Sequence, residues 1–309
     1  MKRQITFILA FIVVISVTAQ KKNWAEKLGY APDTKLLILH ADDLGMAHSE
    51  NMASIYGLEE SPVNSASIMV PCPWFPEIAT YAQQNKHLDF GLHLTLTSEW
   101  KNYKWGPITS KNLVPGLLNK KGYFYASVDS LLQTATKEEV FLELDNQVKK
   151  ALDFGIDVTH LDTHMRAAMG SEALVEVYIE VGKKYQLPVF LHKDLEVIHS
   201  PKIQKLLNEN DIIIDETYTA TPADFENGME QYYMHVLNNL KPGLNNLLIH
   251  LAYDDTEMQA ITIDHPNWGA TWRQHDYDFF TSETCKELLK KNNIILVTWR
   301  ELRDVSRKP

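Results

Sequence analysis

The chain has 309 residues, 45% hydrophobic and 23% charged, which is enough to bury a full core. Its formal net charge is −10, and no Lys/Arg cluster stands out after the first residues. That balance excludes nucleic acid as an expected partner.

In chain order, Lys2 and Arg3 precede an apolar run from Ile5 to Val17, and Val17-Thr18-Ala19 follows. A positive start, an apolar middle and a small-x-small end predict a secretory leader over residues 1–19. The run is shorter than the roughly 20 residues that span a bilayer, so cleavage is expected rather than anchoring. The mature chain, residues 20–309, is then expected to be periplasmic or secreted, with no stable membrane span. Cys72 and Cys285 are the only cysteines. Export permits a disulfide between them, but two free thiols fit the sequence equally well.

Short apolar runs follow at Lys35–His40, Ser65–Val70, Asp89–Leu94, Val158–Thr163, Pro188–His192, Asp211–Asp215, Leu247–Leu251 and Ile294–Trp299. They do not alternate apolar with polar, which suits strands covered on both faces. Helical spacing appears between them over Glu138–Phe154, where Gly155 supplies a stop, and over Ser171–Tyr185 and Tyr277–Asn292. Ser282 offers a cap within the last stretch. About eight strand–helix units predict an α/β fold, a distorted (β/α) TIM-like barrel in a single domain, with an open doubly wound sheet as the alternative. One stretch breaks the rhythm. Thr95 to about Thr136 carries Trp100, Tyr103, Trp105, Tyr123, Phe124 and Tyr125, too long for a simple connection. It reads equally as a substrate wall or as an excursion packed on its own aromatics.

Four strand ends carry polar chemistry. The first run leads into Asp42-Asp43, which alone reads as readily as a helix cap as a cation site. His93 ends the third run, and a lone buried His is more often a core residue than a ligand. His160, Asp162 and His164 fall on one face of a strand, because side chains alternate with period 2. Burying three polar groups there without partners would cost roughly 1–3 kcal/mol each. His250 ends the seventh run. Together these four ends point to a hydrolytic metal site, in which two His and a carboxylate suit zinc or a similar divalent ion.

The motifs His40-Ala-Asp-Asp-Leu-Gly45, Gly91-Leu-His-Leu-Thr-Leu96 and Thr159-His-Leu-Asp-Thr-His164 resemble those of the YdjC-like carbohydrate deacetylases, which include the chito-oligosaccharide deacetylases. The Val114–Phe124 loop, Ile249-His250 and Arg273 with Asp276–Asp278 add to the resemblance, which runs from about Lys35 to Leu302. It implies a distorted barrel and removal of an acetyl group from an N-acetylated sugar. It assigns Asp43, His93 and His164 to one divalent metal ion: zinc or magnesium first, manganese or cobalt also compatible. It assigns Asp42 as general base and His250 as general acid or substrate contact. His160, Asp162, Arg166 and Arg273 would support the ligands or touch substrate. This chain departs from the pattern at Met165 and Arg166, where further His is usual, at His40, where Asn is usual, and at Leu44, where Phe is usual. Those changes leave the ligand set intact and bear on substrate identity. The expected partner is a carbohydrate outside the cytoplasm, with a homodimer left open. A metal-dependent esterase or amidase on another substrate, and an inactive glycan-binding protein on the same fold, are the competing readings.

Overall fold

The computed structural model describes residues 22–308. The expected leader over residues 1–19 lies outside the described residues. Among the described residues no helix is long and apolar enough to cross a membrane.

The central strand is β1 (Lys35–Leu44), buried from Leu36 to its end. Its apolar residues face covered space on both sides, as the uninterrupted run of Leu and Ile requires. The other strands are β2 (Ser65–Ile68), β3 (Phe90–Leu94), β4 (Leu161–Thr163), β5 (Leu191–His192), β6 (Ile213–Ile214), β7 (Glu216–Thr219), β8 (Gly243–Ile249) and β9 (Ile294–Leu296). Seven of them form one sheet in the order β4-β3-β2-β1-β8-β7, with β9 also on β1. Every pairing is parallel.

One edge of β1 pairs with β8 along Lys35–Ala41. The other edge is shared: β9 takes Lys35–Leu37, and β2 takes His40–Leu44. Asn64 fills the point of divergence, its Oδ1 accepting from the Leu39 N–H and its Nδ2 donating to the Val297 carbonyl. The ends of the sheet curl toward each other. Leu161 of β4 bridges Val189 just before β5, the small β5–β6 sheet follows, and the Asp215 N–H after β6 donates to Leu244 of β8. The predicted distorted barrel is therefore the fold observed. Because its strands are parallel, their C-terminal ends share one mouth, where active sites of such folds gather.

Several expected boundaries differ. β1 runs four residues past His40. β8 begins at Gly243 rather than Leu247: Asn245 Nδ2 donates to the carbonyls of Leu36, Lys241 and Gly243, while Asn245 Oδ1 and the side chain of Asn246 are buried in the same strand without a hydrogen-bond partner. β7 carried no apolar run and was not expected. The stretch Tyr277–Asn292 is two helices, Ala270–Phe280 and Glu283–Lys291, broken where Ser282 caps the second. The helix expected over Glu138–Phe154 spans Lys137–Asp153, opened by a Thr136/Glu139 capping box. Cys72 and Cys285 are both free and buried.

Candidate metal centre at the strand ends

The pairing between β1 and β2 fixes the first element of the site. Ala41 lies opposite Ala66 and Leu44 opposite Ile68, so β1 fits one more residue than β2 across that interval. The extra residue makes a bulge, and Asp43 takes a left-handed backbone with φ +70°. Asp tolerates that conformation better than most residues. Adjacent strand residues normally point to opposite faces. Here both carboxylates reach the same imidazole: Asp42 Oδ1 lies 3.7 Å from His93 Nδ1, and Asp43 Oδ1 lies 3.3 Å from His93 Nε2. Gly45, with φ +94°, then turns the chain into the helix His48–Glu60.

Three donor atoms converge beyond the bulge. Asp43 Oδ1 lies 3.3 Å from His93 Nε2 and 3.1 Å from His164 Nδ1. Asp43 Oδ1 is buried and has no hydrogen-bond partner. The second polar atom of each of these three side chains is held elsewhere. His93 Nδ1–H donates to Asp162 Oδ1 at 2.7 Å. His164 Nε2–H donates to Glu99 Oε2 at 3.0 Å. Arg273 Nη2 donates to Asp43 Oδ2 at 2.7 Å. An orphaned buried oxygen facing two imidazole nitrogens, each ring fixed from behind by a carboxylate, is the arrangement that a divalent cation with two His and one Asp ligand requires. Asp43, His93 and His164 thus fit a metal ion.

The supporting residues extend the network down the barrel axis. Asp162 accepts from His40 Nε2 at 2.8 Å with its other oxygen. His40 pairs through Nδ1 with Ser65 Oγ at 2.8 Å. His160 lies below, its ring 4.8 Å from that of Trp299 and nearly parallel to it. Two other His/Asp groups could also gather an ion, His40/His160/Asp162 and Asp42/His93/Asp162. In both, the shared Asp162 already accepts strong hydrogen bonds, whereas Asp43 Oδ1 accepts none.

Electrostatics follow the same layout. Burial alone would raise Asp43, but the charges of His164 and Arg273 outweigh it and hold the carboxyl well below its usual range. Burial opposes protonation of His164, yet Glu99 and Asp43 lift it to about 9. Burial also opposes protonation of His93, and Asp42 and Asp162 lift it well above the usual imidazole range. The field that holds protons on these rings would equally attract a cation, whose binding would release them. His250 differs: burial, reinforced by the Arg273 charge, lowers it to about 4, so it is neutral at pH 7.

The sequence reading placed most of these residues together. Asp42, Asp43, His93 and His164 meet at the mouth, where Asp162 holds His93 and Arg273 holds Asp43. His250 is at the rim, with Nε2 3.9 Å from Asp43 Oδ2. His160 is in the buried column rather than beside the ligands. Arg273 is 1% exposed and bound to Asp43 and Glu50, so its guanidinium fixes the Asp43 carboxylate from within the fold. Arg166 is exposed outside the cluster, in a turn where Met165 and Arg166 both have left-handed backbones.

Three supporting residues were not anticipated. Glu99 comes from the long aromatic loop, 65 residues before the His164 it holds. Glu50 is wholly buried against Arg273, and burial pushes its carboxyl well up. His40 was noted as a departure from pattern, not as the partner of Asp162. Of the two readings of the aromatic loop, inward packing on its own aromatics is the one observed. Trp100, Trp105 and Phe124 pack inward, while Tyr123 is exposed.

The fold and site define a curled parallel α/β protein with a buried His/Asp cluster able to hold a metal ion. A family model described as YdjC-like protein matches residues 36–291, and the chain belongs to that family. It is 30% identical over 287 residues to a carbohydrate deacetylase of Thermus thermophilus, covering 90% of this chain and 97% of that protein. It is 27% identical to a carbohydrate deacetylase of Thermoanaerobacter pseudethanolicus, covering 87% of this chain and all of that one. Among solved structures, an Enterococcus faecalis V583 protein described as a candidate cellobiose-phosphate cleavage protein shares the fold. The TM-score is 0.71 at 24% identity, over 87% of this chain and 99% of that one.

Proposed function

We propose that this protein is an exported, metal-dependent carbohydrate deacetylase that hydrolyses the N-acetyl group of an N-acetylated sugar. The observation that carries the reading is the unpartnered Asp43 Oδ1 facing His93 Nε2 and His164 Nδ1. The relatives named carbohydrate deacetylase along nearly their whole length supply the substrate class. They favour a sugar over a non-carbohydrate ester or amide. The donor set suits zinc or magnesium, with manganese or cobalt also accommodated.

When bound, the ion supplies Lewis acidity toward the acetyl carbonyl and makes a neighbouring water more acidic. Asp42 is the base. Its Oδ1 accepts from Ser67 Oγ at 3.2 Å and lies 3.2 Å from His40 Nε2, while Oδ2 is left to take a proton from the attacking water. Asp162 and Glu99 keep the lone pairs of His93 and His164 turned inward. Arg273 keeps Asp43 Oδ1 directed at the same point. The departing amine needs a proton, and His250 at the rim is placed to deliver it. Burial keeps His250 neutral in the free protein, so it holds no acid proton beforehand. The proton for the amine is the one Asp42 took from the attacking water, which Asp42 gives up to His250 and His250 hands to the amine as the C–N bond breaks.

The test is acetate release from N-acetylglucosamine oligomers by purified protein, with metal content measured on the same samples. Asp42→Asn should lower turnover by about 10²-fold or more, the scale of a lost general base, at unchanged metal content. Wild-type turnover in that variant would remove Asp42 from the reaction. Export is checked separately by N-terminal sequencing of the mature protein.

A further inference from the structure

Folding assembles a basic groove beside the proposed metal centre. It is lined by Lys101, Lys104, Lys120 and Lys121 with Tyr103 and Tyr123, and its volume is about 870 Å³. Two asparagines complete the lining, which contains no carboxylate. In a chain of net charge −10 this is a local reversal of sign. Clustered ammonium groups repel one another and cost stability unless something negative is brought to them. Lys101 is paired with Asp264, but among the described residues no carboxylate lies within ion-pair distance of Lys104, Lys120 or Lys121. Lys104 is partly buried, and that burial pulls its pKa down, with the Glu99 charge opposing and the Lys121 charge adding to the shift.

The groove is tied to the site by short connections. Lys101 follows Glu99 by two residues, and Glu99 holds His164. Lys104 Nζ donates to the Ser98 carbonyl, one residue before Glu99. Tyr103 OH donates to the Met46 carbonyl, three residues after Asp43.

We infer that this groove is a subsite for an acidic sugar unit, binding a carboxylate or sulfate carried by the glycan next to its acetylated residue. The inference rests on the deacetylase reading for the identity of the ligand as a glycan. Tyr123, exposed with Lys111 Nζ over one face of its ring, and half-buried Tyr103 give the groove aromatic surface on which a pyranose ring could pack. The lysines act as point charges that suit a carboxylate or sulfate without demanding one geometry.

Binding is measured directly by calorimetry at low salt. The probes are trigalacturonate, a sulfated chondroitin disaccharide and neutral diacetylchitobiose. Wild type should bind an acidic probe more tightly than the neutral one, and which acidic probe wins identifies the anion. Lys104→Gln/Lys121→Gln, checked for an unchanged melting temperature, should lose that preference by about tenfold or more. Added salt should erase it in wild type, as screening of exposed charges requires. No preference in wild type, or a preference kept in the double variant, overturns the groove. If the Lys-dependent preference appears but no acetate is released from any acetylated substrate, the deacetylase reading fails and the groove stands. If acetate is released with no charge preference, the groove fails and the activity stands.

Discussion

Asp276 shows how one residue on a support helix shapes the rim. It lies one turn after Arg273 on the helix Ala270–Phe280, so a single face reaches both Asp43 and the end of β8. Its Oδ2 accepts from the His250 backbone N–H at 2.8 Å, and its Oδ1 accepts from Tyr233 OH. Burial raises this carboxyl to about 7. A folded-state pKa above the unfolded value means that the folded protein binds the extra proton. Stability from this group is therefore complete below about pH 4 and declines as pH rises toward 7. Asp276→Asn, which keeps an acceptor and a donor, should flatten the loss of melting temperature between pH 4.5 and 7.5 in a thermal scan. A slope equal to wild type would show that Asp276 is not the titrating group.

At the scale of elements, the β3–β4 contact sets the depth of the site. Gly91 lies where an added Cβ would come within 2.3 Å of the His160 ring. His160 cannot retreat, because Trp299 stacks on it and both are fully enclosed. Gly91→Ala should therefore destabilise by roughly 1–3 kcal/mol, the usual cost of overpacking a filled core. Denaturant unfolding checks this, and a variant as stable as wild type would mean that the His160 column is slack. The same pairing carries Asp162 to His93, since His93 lies opposite Asp162 in the ladder. The bulge in β1 does the corresponding work on the other side, turning two adjacent carboxylates toward one imidazole.

At the scale of the whole molecule, the three proposed ligands come from β1, β3 and the turn after β4. An ion held by all three ties those strand ends together and favours the folded state by mass action. At about 100 times its dissociation constant it should add roughly 2.7 kcal/mol. Added zinc should therefore raise the melting temperature of chelator-treated wild type, and should do so far less for His93→Ala/His164→Ala. An equal rise in both proteins would place the ion elsewhere.

The sequence by itself determined the parallel α/β architecture and the core of the site. Continuous Leu, Ile and Val runs of this length suit strands covered on both faces, and Asp42, Asp43, His93 and His164 stand at or just past the ends of such runs. Polar groups in apolar strands are conspicuous because burial without partners is costly. What holds those groups was decided by the tertiary structure alone. Glu99 sits in an aperiodic loop, Glu50 on a helix of ordinary composition, and His40 inside a strand, so none carries a local signal of its partner. The polar start of β8 was hidden for a similar reason, since two of the carbonyls that Asn245 Nδ2 donates to, those of Leu36 and Lys241, lie outside its own strand. The basic groove is the clearest case. Its lysines are spread over some twenty residues of an acidic chain and form no run, and only the return of 119–123 onto 101–104 makes them one surface. Local sequence records which side chains must be buried, because burial has a periodicity. It does not record which charges will meet, because that depends on contacts made across the fold.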